Sequence, residues 1–477
     1  MHSTTSRLTE AHDKALRINL DRARYGTFAE IGAGQEVVRW FFRVGGAAGT
    51  IAKSVSAYDM AVSDAIYGHA ARYVSRERLE AMLDHELDLN LARLSESRGA
   101  TSAFFAFADT VSAQSYRGNR ECHGWMGVKF QSHPRDQASR ILIHVRMLDR
   151  DNASQQEALG ILGVNLLYGA FFHFHEPELL IESLLDGLGT ERIEIDMIEF
   201  SGIEFRHVDN RLMSMKLVEL GLSGAAMFGA RGEVLQPSEV MYKRPILLAR
   251  GSFRPVSHSH LDILRSARET LYPEPAAAES AHLLELAELT MRNLRGDRQQ
   301  VDHQDFLLRA DMLAAVGKTV LISDYFAFER LAAYVGRYTK GPTSFVVGAG
   351  TLPEIFGARP ELATEGQHLE AVAQLFKDGL RLLVYPLRDA ATGTLTTAET
   401  YDPGAGLRGL YQYVLGRGLV RPLDNYDPQQ LPVFSRDVLT KIATGASWQH
   451  MVPPEVEALI RERRAFGYQP EQRQSAA

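Results

Sequence analysis

The stretch Tyr242–Thr270, YKRPILLARGSFRPVSHSHLDILRSARET, constrains the fold more than any other. Ile246, Leu247, Leu248 and Ala249 form a short apolar run closed by Gly251, and Leu261, Leu264 and Ala267 then recur at helical spacing. The segment reads as strand, tight turn and helix. A buried strand thus delivers the turn to a helix N-terminus, where unpaired N–H groups and the positive end of the helix dipole favour an anion. Gly251 lets the backbone approach a ligand closely.

Residues 1–98 read as a mainly helical N-terminal region. Leu79, Met82, Leu83, Leu87 and Leu91 share one face of an amphipathic helix over Arg76–Leu94. EIGAGQ resembles a glycine-rich nucleotide turn, but Tyr25–Ala29 makes a poor buried strand. AAGTIAKS, Ala47–Ser54, has P-loop spacing with alanine at both glycine positions, which blocks a phosphate cradle.

From Ala103 the pattern turns to strands: FFAFADT, WMGVKFQ and ILIHVRML. Helices over Gln155–Phe172, Glu178–Leu188 and Asn210–Leu222 interleave with RIEIDMIEFSG and the strand at Ile246. Strand and helix alternate, so the expected class is α/β, with mostly parallel sheets of Rossmann-like type in two units. The expected domains are 1–98, an α/β domain over 99–272, and a second α/β unit over 281–469 with a helical C-terminal end. Pro273–Ser280 reads as the linker, and Pro470–Ala477 as a disordered tail. In the second unit HLLELAELTMRNLR and FLLRADMLAAVG read as helices, while TVLISD, SFVVGAG and LRLLVYPL read as strands. Asp324, Gly348 and Arg388 then stand at strand ends, where open parallel sheets bind ligands.

A net charge of −7 among 477 residues argues against a nucleic-acid partner and leaves small molecules or protein, with homo-oligomers allowed. The one cysteine, Cys122, rules out an internal disulfide, points to a reducing compartment and reads as structurally dispensable. No signal peptide and no membrane span are legible, so the expected location is cytoplasmic. His173, His175 and Glu178 read as end-of-helix residues rather than metal ligands, and Cys122 with His123 likewise.

Gly251, Ser252, Phe253, Pro255, Val256 and His260 fall on G-[ST]-F-[DN]-P-x-H-x-G-H, the first motif of the HxGH nucleotidylyltransferases, which this turn resembles. The resemblance implies adenylyl transfer from ATP, with Mg²⁺, to a mononucleotide such as nicotinamide or nicotinate mononucleotide. It implies His260 and Arg254 as catalytic residues, and Gly251, Ser252, Phe253, Ser257 and His258 as cofactor-binding. Ser257 stands where the first histidine belongs, Arg254 replaces Asp or Asn, Ser259 replaces the glycine, and His258 comes one position late. One residue turns a side chain by about 100° at a helix start. No copy of the family's second motif, ISSTxxR, is found.

Read without the resemblance, Ser257 or Ser259 is a helix N-cap and Pro255 stiffens the entry. Over its whole length the chain is similar to bacterial proteins of like size named nicotinate-nucleotide adenylyltransferase or TonB-dependent receptor. The second name conflicts with the absence of alternating strands and of a signal peptide. The alternative to an enzyme is a non-catalytic, nucleotide- or phosphate-responsive scaffold or assembly protein.

Overall fold

A computed structural model describes residues 8–32, 34–112, 122–273, 282–357, 362, 364–389, 391–431 and 433–469. The expected linker beyond Pro273 and the tail Pro470–Ala477 lie outside them. The chain divides into two compact units, Met1–Ala226 and Met227–Ala477. This replaces the expected boundaries: residues 1–98 and 99–226 share one sheet, and the linker position falls inside the second unit.

The strands of the first unit are β1 (Arg24–Gly32), β2 (Ile51–Val55), β3 (Ala103–Ser112), β4 (His123–Phe130), β5 (Ser139–Met147) and β6 (Ile193–Ser201), ordered β2-β1-β3-β4-β5-β6. β1 pairs in parallel with both β2 and β3, while β3 to β6 pair antiparallel in sequence order. The sheet is therefore mixed, with a parallel part at β2, β1 and β3 and an antiparallel part from β3 to β6. Arg76–Arg98, N-capped by Ser75, packs Leu83 toward Gly127 on one face. Asn152–Phe172 packs against the other, where Met126, Val128, Phe130, Ile141 and Ile143 alternate inward. Half-buried Cys122 lies against that core.

The N-terminal region does hold the helices Ala11–Asn19, Val37–Arg43, Met60–Tyr67 and Arg76–Arg98. It also supplies β1, so Tyr25–Ala29 is a buried strand after all, and the P-loop look-alike runs into β2. A Cβ on Gly26 would lie 2.1 Å from the Phe105 carbonyl oxygen, so the residue that weakens β1 locally is required by its neighbour.

The remaining strands are β7 (Ala225–Phe228), which spans the division, and, within the second unit, β8 (Val234–Leu235), β9 (Ile246–Arg250), β10 (Leu284–Thr290), β11 (Thr319–Ser323), β12 (Thr343–Gly348), β13 (Arg381–Tyr385), the hairpin β14 (Leu387–Arg388) and β15 (Leu395–Thr396), and β16 (Val420–Pro422). Their main sheet is ordered β16-β13-β12-β9-β10-β11-β7-β8, parallel from β16 to β11. Leu284–Thr290, expected as helix, is β10. Six of its seven residues are buried, and a parallel strand covered on both faces loses the polar alternation that would mark it in sequence. Among the described residues no helix is long and apolar enough to cross a membrane.

At the carboxyl ends of β1 and β3, Glu30 and Asp109 are register partners, 3% and 0% exposed. Glu30 accepts from the Val37 and Val38 amides at 2.8 and 3.3 Å. Both Asp109 oxygens are buried without a hydrogen bond among the described residues. Burial pushes Glu30 up to about 8 against the lowering by those amides, and burial beside Glu30 pushes Asp109 well above the usual carboxylate range. The folded chain then binds more protons than the unfolded one between the ordinary value of 4.5 and about 8. The stability these protons confer is complete below that window and falls as pH rises through it. Melting curves across the window should show this decline in the wild type and a flatter profile in a Glu30→Gln, Asp109→Asn double variant.

Candidate functional site

Counted from β9, the parallel strands run 3-2-1-4-5-6: β11, β10, β9, then β12, β13 and β16 on the other side. The chain winds outward from β9 in one direction and returns to wind in the other. The strand order reverses between β9 and β12, and the crevice outside their carboxyl ends is where this topology holds ligands. The turn Gly251–Ser257 leaves β9 at that point.

A buried polar network fixes its departure. Glu288 on β10 is fully buried and accepts two hydrogen bonds from Arg250, at 2.8 and 3.0 Å, and one from Ser323 at 2.5 Å. Arg250 also donates to the carbonyls of Tyr325 and Phe326 at 2.7 and 2.6 Å. Three adjacent strand ends are thereby tied together. The Gly251 amide donates to the Glu288 carbonyl at 3.2 Å, and a Cβ on Gly251 would come within 3.1 Å of the Phe253 ring.

Phe253 takes a left-handed backbone, φ +46°, a conformation that costs a bulky residue energy and needs support. Its ring is 2% exposed and lies 4.8 Å from the His260 ring. The helix His258–Leu271 begins with Ser257 as N-cap. The Ser257 amide donates to His260 Nδ1 at 3.0 Å. A backbone amide can only donate, so Nδ1 is unprotonated and the neutral ring carries its hydrogen on Nε2. Burial holds His260 down to about 4, so the ring is neutral at neutral pH. The Ser257 hydroxyl lies 2.9 Å from that of Ser259, which donates to the Val433 carbonyl at 2.7 Å, and Ser435 donates to the Pro255 carbonyl at 2.8 Å. Residues 433–435 are thus stitched across the turn and the helix start.

Ser252 and Arg254 line a cavity of about 380 Å³, together with Arg295, Arg298, Arg309 and Arg436. Three aspartates, Asp297, Asp302 and Asp305, also face it, which leaves five arginines less three carboxylates, a surplus of two positive charges. Asp305 accepts from Arg254 at 2.6 Å through one oxygen and from Arg309 through the other, and Asp302 accepts from Arg298 at 2.6 Å. Arg295 Nε is buried without a hydrogen-bond partner among the described residues. Planar guanidinium groups gathered this way suit phosphate oxygens.

The structure therefore brings Ser252 and Arg254 to one cavity and keeps the other expected residues apart from it. Gly251 shapes the turn. Phe253 packs beneath it. Ser257 is 0% exposed with its hydroxyl turned inward, so it caps the helix and has no surface for a ligand. His258 and His260 stand half-buried in the first helical turn, outside the cavity lining. Arg295 and Arg298 are not legible as site residues in the sequence, because HLLELAELTMRNLR reads there as a single helix ending at Arg295. Once Leu284–Thr290 is a strand, they stand on the short helix and loop that follow its carboxyl end. Asp324 and Gly348 do not converge: β11 and β12 lie three strand spacings apart, roughly 14 Å. Among the described residues no group of three or more His, Cys, Asp or Glu is placed to hold a metal ion.

No protein-family model matches the chain, and no curated protein matches it significantly. Among solved structures it is similar to nicotinic acid mononucleotide adenylyltransferase of Plasmodium falciparum, complexed with NaAD, at 9% identity and a TM-score of 0.31, over 47% of this chain and 98% of that one. It is also similar to a competence-damaged protein (CinA) superfamily protein of Klebsiella pneumoniae, at 16% identity and a TM-score of 0.27, over 34% of this chain and 99% of that one. These are likenesses of backbone path alone, and the functional reading rests on this chain's own residues.

Removing one partner of a buried pair strands the other charge, at a cost of about 3–5 kcal/mol. Glu288→Ala should lower the urea midpoint of the second unit accordingly. A Glu288→Gln variant, which still accepts from Ser323, should fall between it and the wild type.

Proposed function

We propose that the second unit binds a nucleotide through its phosphates and works as a nucleotidylyltransferase-like enzyme, passing the adenylyl group of ATP to a mononucleotide such as nicotinamide or nicotinate mononucleotide. The observation that carries the reading is the arginine-rich cavity opening beside the β9 turn of a 3-2-1-4-5-6 sheet. In this reaction the acceptor phosphate attacks the α-phosphorus in line and pyrophosphate leaves. The protein's part is positioning and charge neutralisation. Arg254, Arg295 and Arg436 are the groups for phosphate oxygens, and the Nε2–H of His260 is the neutral donor at the helix start. Asp302 and Asp305 are committed to arginines, so the residues present do not form a magnesium cage. Mg²⁺ would arrive on the nucleotide's phosphates, as it commonly does.

One observation favours the second reading, a nucleotide-responsive protein without catalysis. The position of the first motif histidine is taken by a buried capping serine, and the Val433 carbonyl lies on the helix start. Ser257→His would overpack a closed site and is no test of restored chemistry.

ATP affinity by calorimetry and dinucleotide formation by chromatography separate the readings. Arg254→Ala and Arg295→Ala should each weaken ATP binding by about 10- to 150-fold, the equivalent of a charge-assisted hydrogen bond of about 1.5–3 kcal/mol. His260→Ala should weaken it less. Binding without dinucleotide formation supports the scaffold. A wild type that does not bind ATP, or variants that bind like the wild type, would remove the support for both readings.

A further inference from the structure

Both neighbours of the left-handed Phe253 are tied to one carboxylate and its partner. Asp305 Oδ1 accepts from Arg254 Nε at 2.6 Å, and Asp305 Oδ2 accepts from Arg309. Arg309 is 4% exposed and donates through Nη1 to the carbonyls of Ser252 and Asn293, both at 3.2 Å. Residue 252 is thus fixed through its backbone and residue 254 through its side chain. Asp305 is itself held, because it lies in the first turn of the helix His303–Ala315 and its amide donates to the capping Asp302 Oδ1 at 3.1 Å.

The atoms of Arg254 that are already engaged decide what the rest can do. Nε makes the one hydrogen bond of this side chain among the described residues, so both Nη groups are unused. The Arg254 side chain is 40% exposed and lines the cavity, whereas that of Asp305 is 14% exposed. The Phe466 ring lies against the guanidinium, 5.4 Å from Cζ. A ring contact together with a bond on Nε fixes the guanidinium plane and leaves the end-on pair of nitrogens, the fork that meets two oxygens of one phosphoryl group. A carboxylate that rivalled the ligand would occupy that pair. Asp305 occupies Nε instead.

We propose that Asp305 is a positioning residue for phosphate, holding Arg254 by Nε so that Nη1 and Nη2 together take two oxygens of one phosphoryl group. The inference rests on the phosphate reading of this cavity and says how the site recognises its ligand. Charge alone gives the opposite expectation for Asp305. Losing one carboxylate leaves five arginines against two acids, so the surplus in the cavity rises from two positive charges to three and an anion is drawn more strongly. The sign of the effect therefore separates positioning from bulk attraction.

The test is ATP affinity by calorimetry on the full chain, with the melting temperature of each variant alongside. Asp305→Asn keeps the side-chain size, and its one acceptor oxygen goes to the more deeply buried Arg309, where an unmet donor costs most, so Arg254 is released. ATP binding should weaken about 10-fold, the lower end of what one charge-assisted hydrogen bond contributes. Asp302→Asn makes the same change in charge, Asn caps a helix as well as Asp, and Arg254 keeps its hold, so this control should bind ATP at least as tightly as the wild type. In an Arg254→Ala background Asp305→Asn should no longer weaken binding, since the two residues act as one. Arg254→Lys, at a part-exposed position, keeps the charge without the fork and should weaken binding by a similar factor; it decides the matter alone if Asp305→Asn does not fold. An Asp305→Asn chain that binds more tightly, as the control does, or an Arg254→Lys chain that binds like the wild type, would overturn the proposal and leave the phosphate reading standing. A wild type that binds no ATP overturns both.

Discussion

Glu288 carries its carboxylate in a place that water does not reach, and the second unit is arranged around making that tolerable. An isolated charge there would cost several kcal/mol, and attraction repays the cost only when the geometry is good and every lone pair is used. Arg250 supplies two nitrogens from β9, and Ser323 supplies a hydroxyl from β11. The groups come from three adjacent strands, so satisfying one carboxylate also fixes the relative height of three strand ends. The remaining guanidinium hydrogens reach the carbonyls that follow β11, and the Gly251 amide is held by the carbonyl of Glu288 itself.

The turn after β9 leaves from that fixed point. Phe253 is held in a left-handed conformation by the packing of its ring on His260, and the helix start is closed by the bond between Ser257 and His260. The cavity beside the turn then takes its arginines from three stretches of chain: Arg254 from the turn, Arg295 to Arg309 from the segment after β10, and Arg436 from the helix Ser435–Thr444. Shared carboxylates, above all Asp305, hold these guanidinium groups close together while leaving a positive surplus. A phosphate meeting such a set pays little to organise it.

The first unit handles buried polarity in a different way. Among the described residues Glu30 and Asp109 meet no cation in register with them, and burial raises both carboxyls above their ordinary range, Glu30 to about 8. Asp196 instead meets a histidine, and the bulge on β6 shows the backbone giving up one regular pair to make that contact. Both arrangements sit at sheet ends, where ladder hydrogen bonds run out and side chains can replace them.

Much of the second unit was legible in sequence. The apolar runs at Ile246, Thr319, Ser344 and Leu380 and the helices between them were found because strand and helix periods are local properties. Ser257 as an N-cap was legible for the same reason. Leu284–Thr290 was not: burial on both faces gave it apolar spacing that also fits a helix, and only the pairing with β9 and β11 decides it. Losing that strand hid Arg295 and Arg298, whose place in the site depends on where β10 ends. Tyr25–Ala29 failed likewise, because Gly26 looks like a weakness until Phe105 lies against it. The sequence by itself determined the α/β class, the strand-turn-helix at residue 246 and the absence of any disulfide, since each follows from neighbours along the chain. The tertiary structure alone decided the division at residue 226, the winding order around β9, the arginine cavity and the contact of Asp196 with His144. Each of these depends on which distant strands pair and in what register, and no local period records that.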